Sequence, residues 1–295
     1  MQESSVQTYT LTRYEMEFRE IERLGEGGFG VVYKVQREKD KLLFAVKQIN
    51  ITGKDEERML REVKALESLD HSGIVRYFDA WKEKDSYGKG SFLYIQLELC
   101  QAKTLKHWLD DTNRNKNRPS NEIVEKIEQI TSALAYIHGK KITHRDLKPE
   151  NIFLSAEQGN PVKVGDFGLA KIMERDSESH TAEAGTRAYF APEQSTTHYT
   201  NKVDIYALGV IVYEMFNFIP PGSTRKYLIN DAKECKFPEK MKLEHAQWCK
   251  AVRQMLSEDP DKRPTARALL GKVKLWEKLS TDIDEPRPSC CCCVF

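Results

Sequence analysis

The sequence is short of several features that would assign it to a particular class of protein. Its 295 residues carry a formal net charge of only +1, from 46 Lys and Arg against 45 Asp and Glu. Because proteins that bind nucleic acid need a basic excess to contact phosphates, this balance argues against direct nucleic acid binding by this segment. Met1 to Gln7 is polar and contains no apolar signal-peptide core. The longest apolar stretch, Ala207 to Ile219, is interrupted by Glu214 and Asn217, which makes it too short and too polar to span a membrane.

Cysteine is sparse over most of the chain. Three of the seven cysteines are scattered, at Cys100, Cys235 and Cys249, and the other four are consecutive, from Cys290 to Cys293. This spacing does not form a disulfide framework and is typical of a reducing compartment. We therefore expect a cytoplasmic protein.

The cysteine cluster near residue 290 has the form of a lipidation signal. Cys292-Cys293-Val294-Phe295 matches a prenylation motif in which Cys292 would be modified, with Cys290 and Cys291 available for palmitoylation. The preceding residues, Asp282 to Pro286, are acidic and would be repelled by an anionic membrane surface. An incidental tail or a site for soft metals are the alternatives, so membrane association is expected only if the cluster is lipidated.

Apolar periodicity in the first hundred residues predicts a sheet with one helix. Apolar residues alternate between Phe18 and Gln48, which predicts three antiparallel strands, and Ile74–Trp81 and Ser91–Leu99 predict two more. Asp55 to Ser68 has helical spacing. We therefore predict an N-lobe, residues 18–100, with a five-stranded antiparallel sheet and one main helix, after an N-terminal extension, residues 1–17, without a strong pattern.

Helical periods dominate after Thr104, which predicts a mostly helical C-lobe over residues 101–280. A short strand pair, near Ile152–Leu154 and Val162–Val164, interrupts them, Asn113 to Ser120 is a polar linker, and a disordered tail begins at Thr281. The chain as a whole is therefore predicted to be α+β and bilobal. The predicted helices are Leu105–Asp111, Asn121–Gly139, Lys202–Phe218, Ser223–Lys233, His245–Leu256 and Thr265–Lys278.

The segment from His144 to Asn151 places an acid, a base and an amide in one short loop. Asp146 can orient a hydroxyl and accept its proton, the ammonium of Lys148 can neutralise a moving phosphoryl group, and the amide oxygen of Asn151 can ligate Mg²⁺. These three groups suit the transfer of a phosphoryl group from a metal-bound nucleotide to a hydroxyl.

A glycine-rich segment near the start of the sheet predicts a nucleotide-binding loop. Gly25-Glu26-Gly27-Gly28-Phe29-Gly30 lets the backbone approach phosphates and donate N–H groups to them. A dinucleotide-binding loop would be followed by a helix, whereas Val31-Val32-Tyr33 continues as a β-branched strand. A hairpin that covers a nucleotide fits this pattern, and an ordinary tight turn is the alternative.

Three charged residues elsewhere complete a nucleotide site. Lys47 lies in an apolar strand after Phe44-Ala45, and Glu62 on the next helix could hold its ammonium against the α- and β-phosphates. Asp166-Phe167-Gly168 follows the strand Val162–Val164, where Asp166 would hold the bridging metal ion.

The segment between Asp166 and Ala191-Pro192-Glu193 is polar and long enough to act as a switch. Arg145, beside Asp146, is a ready partner for a phosphate in this segment. We expect at least one hydroxyl there to be phosphorylated, although ordinary loop residues are the alternative. Its hydroxyl residues include Ser177, Ser179, Thr181 and Thr186.

In this order, the motifs resemble those of the eukaryotic protein kinases, over roughly residues 15–280. The resemblance implies ATP and Mg²⁺ as cofactors, Asn151 and Asp166 as metal ligands, and a catalytic set that includes Lys47, Glu62, Asp146, Lys148 and Asn151. Lys148 and the pair Gly185-Thr186 are similar to those of serine/threonine kinases, and Arg263 lies where the partner of Glu193 is expected. The residues that the resemblance assigns to ATP are Leu24, Gly25, Glu26, Gly27, Gly28, Phe29, Gly30, Val32, Ala45, Lys47, Leu97, Glu98, Cys100 and Phe153.

Further stretches are similar to the kinases that phosphorylate the alpha subunit of eukaryotic translation initiation factor 2. They include Arg61–Leu66, Ile74–Trp81, Thr104–Leu109 and Pro192-Glu193-Gln194. Members of that subfamily act in stress or antiviral responses. The resemblance therefore implies this initiation factor as the protein substrate.

The same resemblance implies a homodimer formed through the N-lobes and activated by autophosphorylation. An intersubunit Arg–Asp pair maps onto Arg13 and Glu17, and an Asp–Tyr contact maps onto Asp40 and Tyr77. The activating phosphosites map onto Thr181 and Thr186, both in the activation segment.

One stretch departs from the subfamily. The helix that docks the substrate carries a Thr and a Glu near its start, but Pro220 to Tyr227 lacks the acid. A kinase with a different protein substrate is therefore a second hypothesis. A pseudokinase scaffold is a third, although such proteins usually lose residues of the kind found at Lys47, Asp146 or Asp166.

Overall fold

A computed structural model of the chain describes residues 11–27, 30–52, 56–84, 90–101, 103–155, 161–166, 186–196, 199–219 and 223–284. Within these ranges, the description excludes the side chains of Glu62, Ala65, Thr186, Arg187, Ser223, Thr224, Lys226 and residues 277–284.

The N-terminal part is a five-stranded antiparallel sheet, as predicted. Its strands lie in the order β1-β2-β3-β5-β4. A helix, α2 (Glu56–Lys64), lies between β3 and β4 in the sequence. Met59 and Val63 of this helix are buried, which confirms the predicted apolar face. The strands are β1 (Phe18–Gly27), β2 (Gly30–Arg37), β3 (Leu43–Asn50), β4 (Tyr77–Lys84) and β5 (Ser91–Glu98).

The predicted start of β4 at Ile74 is wrong, because β4 begins at Tyr77. Ile74 instead forms an isolated parallel bridge with Val164, and the N–H of Val75 donates to the carbonyl of Val164 at 3.0 Å. Ile74 and Val75 are apolar and precede the strand, but they do not extend it because they are buried against the C-lobe.

A short helix that the sequence analysis missed precedes the sheet. This helix, α1 (Arg13–Glu17), begins with a capping box in which the Glu15 N–H donates to Thr12 Oγ1 at 3.2 Å and the Thr12 N–H donates to Glu15 Oε2 at 2.8 Å. The signal was a Thr followed three residues later by a Glu. The extension before Phe18 is therefore not without structure.

Helix α1 packs on the face of the sheet opposite to α2, through a stack of aromatic rings. The ring of Tyr14 stacks on Tyr94 with centroids 4.7 Å apart, and Phe18 stacks on Trp81 at 5.8 Å. The guanidinium of Arg13 lies 4.2 Å from the centre of the Trp81 ring. Burial of these rings holds the extension to the N-lobe.

The C-terminal part is mostly helical, with the predicted strand pair β6 (Ile152–Leu154) and β7 (Val162–Val164) confirmed as antiparallel. Short 3₁₀ turns lie at Ala65–Ser68, Pro149–Asn151, Thr186–Tyr189, Pro192–Ser195 and Pro260–Lys262. The helices are α3 (Leu105–Asn115), α4 (Ser120–Gly139), α5 (Lys202–Phe216), α6 (Ser223–Lys233), α7 (Glu239–Glu244), α8 (Ala246–Met255) and α9 (Ala266–Asp284).

Two boundaries in this part differ from prediction by more than two residues, and α7 was not predicted. Helix α3 continues four residues beyond Asp111 and ends before Lys116, whose φ of 48° is left-handed. The first part of the predicted linker, Asn113 to Asn115, is therefore helical. The side chain of Asn113 explains this, because its Nδ2 donates to the carbonyl of Ile219 at 2.8 Å. Helix α9 continues to Asp284, because a packed helix propagates through polar residues once it has formed.

Helix α5 forms the centre of the C-lobe. All of its residues from Val203 to Met215 are buried, including the charged Asp204 and Glu214. A helix buried on every side can hold charged groups only if they are paired. The carboxylates of Asp204 and Glu214 must therefore have polar partners. Of the described helices, none is long and apolar enough to cross a membrane.

Candidate active site

A buried carboxylate shapes the loop that begins at His144. Asp204, which is 1% exposed, accepts the N–H of His144 on Oδ2 at 2.8 Å and the N–H of Arg145 on Oδ1 at 2.8 Å. His138 Nε2 lies 2.8 Å from the same Oδ2. Because both backbone N–H groups are tied to one side chain, the loop cannot change shape without leaving Asp204 unpaired.

Further contacts complete the bend. His144 is fully buried, with Nε2 2.9 Å from the carbonyl of Gly165, and its Nδ1 accepts the N–H of Asp146 at 3.3 Å. Arg145 adopts a left-handed φ of 73°, a strained conformation for a side chain of this size. Through His144, the loop therefore contacts Gly165, the residue just before Asp166.

The structure brings Asp146, Lys148 and Asn151 together. Lys148 Nζ lies 3.0 Å from Asp146 Oδ2, and Asn151 Nδ2 donates to the same oxygen at 3.0 Å and to the Asp146 carbonyl at 2.8 Å. Asn151 is 6% exposed, so its orientation is fixed. A carboxylate that can take a proton thus lies beside a fixed positive charge.

Lys47 and Asp166 form an ion pair that joins the two lobes. Lys47 Nζ lies 2.8 Å from Asp166 Oδ1, and the Lys47 side chain is 8% exposed. Burial would raise the pKa of Asp166, but the ammonium of Lys47 outweighs it and holds that pKa below its usual range. The side chain of Glu62 lies outside the described residues, so its predicted pairing with Lys47 stays a prediction.

Strand register places four predicted ATP residues on one face of the sheet. Val32 pairs with Lys47 across β2 and β3, and Ala45 pairs with Leu97 across β3 and β5. Alternate residues of a strand share a face, so Ala45 and Lys47 point to the same side. Phe153 bridges to Thr104 on the far side of the cleft.

The glycine-rich loop connects two antiparallel strands, as predicted for a lid rather than a dinucleotide fold. Gly27 and Gly30 are register partners, and the backbone of Gly30 has a φ of +128°. Leu24 before the loop is 41% exposed. Gly28 and Phe29 lie outside the described residues.

The stretch from Glu98 to Cys100 connects the lobes. Both carboxylate oxygens of Glu98 accept from Lys163 Nζ, at 2.7 and 2.9 Å, so the side chain acts as a tether between lobes. Burial, followed by the charge of Glu98, raises the pKa of the Cys100 thiol to about 12.

The donors at the centre of the site suit a hard divalent cation. Asp166 offers a carboxylate, and Asn151, whose amide nitrogen is used by Asp146, directs its amide oxygen away from that residue. Oxygen ligands of this kind fit Mg²⁺, which is usually held by one or two protein oxygens and completed by substrate phosphates. Within the described ranges, no cluster of three or more His, Cys, Asp or Glu side chains could hold a metal ion.

The end of the activation segment is anchored, and some of its anchors were not predicted. Glu193 forms the expected pair with Arg263, whose Nη2 donates to Oε2 at 2.9 Å. Gln194 Nε2 donates to the Arg145 carbonyl at 3.0 Å, a contact that no sequence motif signals. The side chain of Thr186, and all of Thr181, lie outside the described residues.

The residues predicted at the dimer interface make contacts within the chain. Arg13 pairs with Glu17 at 2.9 Å and with Asp79 at 2.7 Å, and Asp40 forms an ion pair with Arg37. Tyr77 is 3% exposed, and its contact with a partner stays a prediction. Cys292 lies outside the described residues.

Several known proteins are similar to the chain over most of its length. The chain is 34% identical over 288 residues to the interferon-induced, double-stranded RNA-activated protein kinase of Rattus norvegicus, which covers 92% of this chain and 55% of that protein. It is 30% identical over 314 residues to the eIF-2-alpha kinase GCN2 of Arabidopsis thaliana (88% of this chain, 25% of that protein). It is also 34% identical over 277 residues to the Wee1-like protein kinase of Oryza sativa subsp. japonica (91% and 49%). The chain thus spans about half the length, or less, of these relatives.

The family model described as "Protein kinase domain" matches residues 18–273. This range includes the glycine-rich loop, Lys47, the loop at Asp146, Asp166 and the buried helix α5. Together with the relatives, the match shows that the chain belongs to the protein kinase family, whose members use ATP to phosphorylate proteins.

Proposed function

We propose that the chain is a serine/threonine kinase that transfers the γ-phosphate of ATP to the alpha subunit of translation initiation factor 2. The observation that carries the catalytic part is the fixed contact among Asp146, Lys148 and Asn151, held in place by Asp204. These contacts hold the charged groups of the site in fixed positions, as electrostatic catalysis requires.

Each residue has a defined task in this proposal. A serine or threonine hydroxyl approaches Asp146, which accepts its proton as the hydroxyl oxygen bonds to the γ-phosphorus. The bond from that phosphorus to the oxygen it shares with the β-phosphate breaks, and ADP leaves. Lys148, 3.0 Å from Asp146, stabilises the charge on the phosphoryl group in transit.

Lys47 binds the nucleotide in this proposal. Its ammonium, which pairs with Asp166, would bind the α- and β-phosphates, with Glu62 as a second partner. Asp166 and Asn151 would hold Mg²⁺, which neutralises phosphate charge when bound. The Lys47–Asp166 pair holds two groups of the proposed nucleotide site close together, with 2.8 Å between Nζ and Oδ1.

The substrate assignment rests on similarity. Two of the compared relatives carry names that tie them to RNA-activated kinase activity or to eIF-2-alpha. A Wee1-like kinase matches equally well in identity, so a different protein substrate is the second candidate. The departure at Pro220 to Tyr227 favours that second candidate, because this stretch lacks the acidic residue of the docking helix.

One variant tests catalysis. Asp146→Asn keeps the hydrogen-bonding shape of the side chain but removes the base, so phosphoryl transfer from radiolabelled ATP should be abolished while the fold is kept. The matched control is Asp111→Asn, which changes a carboxylate that is 52% exposed on α3. Near-full activity of Asp146→Asn would disprove the assignment. Autophosphorylation by the unmodified chain would exclude the pseudokinase hypothesis.

The substrate is tested by incubating the chain with the alpha subunit and ATP and mapping every phosphosite by mass spectrometry. We expect a serine or threonine of the subunit to be modified, together with Thr181 or Thr186 of the chain. Modification of the chain alone would favour a different substrate.

Activation by dimerisation is part of the proposal. Arg13→Glu should reduce self-association in sedimentation and reduce autophosphorylation, with partial rescue by Glu17→Arg in the same chain. Because Arg13 also pairs with Asp79 within the chain, the unfolding temperature of each variant must be measured as a control. Unchanged dimerisation of both single variants would contradict this interface. Cytoplasmic location, and membrane attachment only if Cys292 is lipidated, remain part of the proposal.

A further inference from the structure

The side chain of Arg225 points into the C-lobe. Arg225 lies in the stretch Pro220 to Tyr227, where the sequence departs most from the subfamily that it resembles. Arg225, in the first turn of α6, donates from Nε to Glu214 Oε1 at 2.7 Å and from Nη2 to Glu214 Oε2 at 3.2 Å. Glu214 lies on α5 and is 3% exposed, whereas the Arg225 side chain is 24% exposed. A buried carboxylate needs a partner of this kind, so the two-pronged pair fixes the start of α6 against α5.

Tyr189 is the third member of this cluster. It ends the 3₁₀ turn Thr186–Tyr189 and is 3% exposed, and its hydroxyl donates to Glu214 Oε2 at 2.6 Å. The same hydroxyl accepts from Arg225 Nη2. Burial and the charge of Glu214 raise the pKa of Tyr189 well above its ordinary value, which keeps the hydroxyl protonated. Arg225 therefore touches both the helix α5 and the end of the activation segment.

The end of the activation segment contacts the loop from His144 to Asn151 directly. Gln194, five residues after Tyr189, donates from Nε2 to the carbonyl of Arg145, the residue before Asp146, at 3.0 Å. A recess of about 100 Å³ opens beside Glu214 and Arg225, with walls from α3 and α5. Lys47 makes its ion pair elsewhere, with Asp166. Tyr189 and Lys47 are thus held in place by different residues.

We propose that Arg225 is a positioning residue for the acceptor: by holding Tyr189 and Glu214, it keeps the end of the activation segment beside Asp146. This inference rests on the proposed kinase function and deepens it. Loss of Arg225 leaves Glu214 buried without its cation, so the turn that ends at Tyr189 shifts and a protein hydroxyl meets Asp146 less often. ATP binding through Lys47 is untouched.

The test compares three variants of the whole chain with a generic acceptor protein, such as histone, as the probe. Arg225→Ala should lower kcat/KM for the acceptor on the order of 10- to 100-fold, the usual effect of misplacing a reacting group by about 1 Å. The KM for ATP should stay unchanged. Arg225→Lys keeps the charge without the fork and should recover part of the loss. Arg114→Ala, the matched control, removes a guanidinium that is 75% exposed on α3 and should change neither constant.

Hydrogen–deuterium exchange gives a second readout that needs no activity. In Arg225→Ala, amides of Ala188 and Tyr189 should exchange faster, while those of His144 to Asn151 keep their rates. If the unmodified chain transfers no phosphate, the proposed function fails, but the exchange data still decide the role of Arg225. Unchanged exchange at Ala188 and Tyr189, or equal losses for ATP and acceptor, would overturn the inference.

Discussion

Asp204 shows how one buried side chain sets the geometry of a loop that lies far from it in sequence. Its two oxygens hold the N–H groups of His144 and Arg145, and the strained φ of Arg145 is kept by that double contact. Catalytic groups positioned in this way cost no reorganisation when the substrate arrives. The sequence signals the chemistry of Asp146 through its neighbours, but the part played by Asp204 depends on tertiary contact.

Cys100 offers a test of burial at the edge of the nucleotide cleft. Burial raises the pKa of its thiol to about 12, so almost none of it is thiolate at pH 8, and only the thiolate reacts with iodoacetamide. We expect Cys100 to resist alkylation until the pH approaches 11. Mass spectrometry of labelled peptides measures this directly.

The control for this experiment is the same cysteine in urea. Unfolding returns the thiol to its ordinary pKa of about 8.5, so labelling at pH 8 should become fast. Equal labelling rates in the folded and unfolded chain would show that Cys100 is not buried as described.

Two glycines of one loop should respond differently to the same substitution. At Gly30 the φ is +128°, and an added Cβ would lie 2.1 Å from the carbonyl oxygen of Gln48, whereas nothing lies within 4 Å of a Cβ at Gly25. Gly30→Ala should lower the free energy of unfolding by about 1–3 kcal/mol, the usual cost of a strained backbone. Gly25→Ala is the matched control and should cost less than about 1 kcal/mol. Urea unfolding measures both, and equal losses would contradict the geometry at Gly30.

Among the elements, the strands and long helices are predictable and the short or exceptional ones are not. The pattern of α2 was clear because its apolar residues repeat with helical spacing. Helix α1 is only five residues long and gives no periodicity, so its capping box at Thr12 and Glu15 was its sole signal. The end of α3 could not be predicted either, since Asn113 is held by the distant carbonyl of Ile219. Patterns within a short stretch of sequence can indicate a helix or a strand, but they cannot indicate a contact with a residue far along the chain.

Helix α1 should stabilise the N-lobe rather than serve only as an interface. Tyr14 is 6% exposed, stacks on Tyr94 and donates from its hydroxyl to Glu20 Oε1 at 2.9 Å. Tyr14→Ala should therefore lower the free energy of unfolding by about 3 kcal/mol, as for other buried aromatic residues. Met16 lies two residues after Tyr14 in the same helix and is 58% exposed. Met16→Ala should therefore change the free energy of unfolding by less than about 0.5 kcal/mol. If the two variants unfold alike in urea, α1 is not packed on the sheet.

At the level of the whole molecule, three kinds of contact join the lobes. Ion pairs link Lys47 to Asp166 and Glu98 to Lys163, and the backbone of Val75 bonds to Val164 of β7. One hydrophobic core also runs through both lobes, from Ile95 in the sheet to Leu208 in α5. The active site lies in the cleft that these contacts hold, and sequence motifs predicted its residues but not the tethers between them.

A continuous core predicts that the two lobes unfold together, although chains of this length often unfold domain by domain. The chain has four tryptophans, of which Trp81 lies in the N-lobe and Trp248 in the C-lobe. Variants that keep only one of these two, with the other tryptophans changed to Phe, report each lobe by fluorescence. Their urea transitions should share one midpoint, because loss of either lobe exposes core of the other. Lys163→Ala, which cuts one tether outside the core, should shift both midpoints equally. Two separate transitions would show instead that the core between the lobes contributes little to joining them.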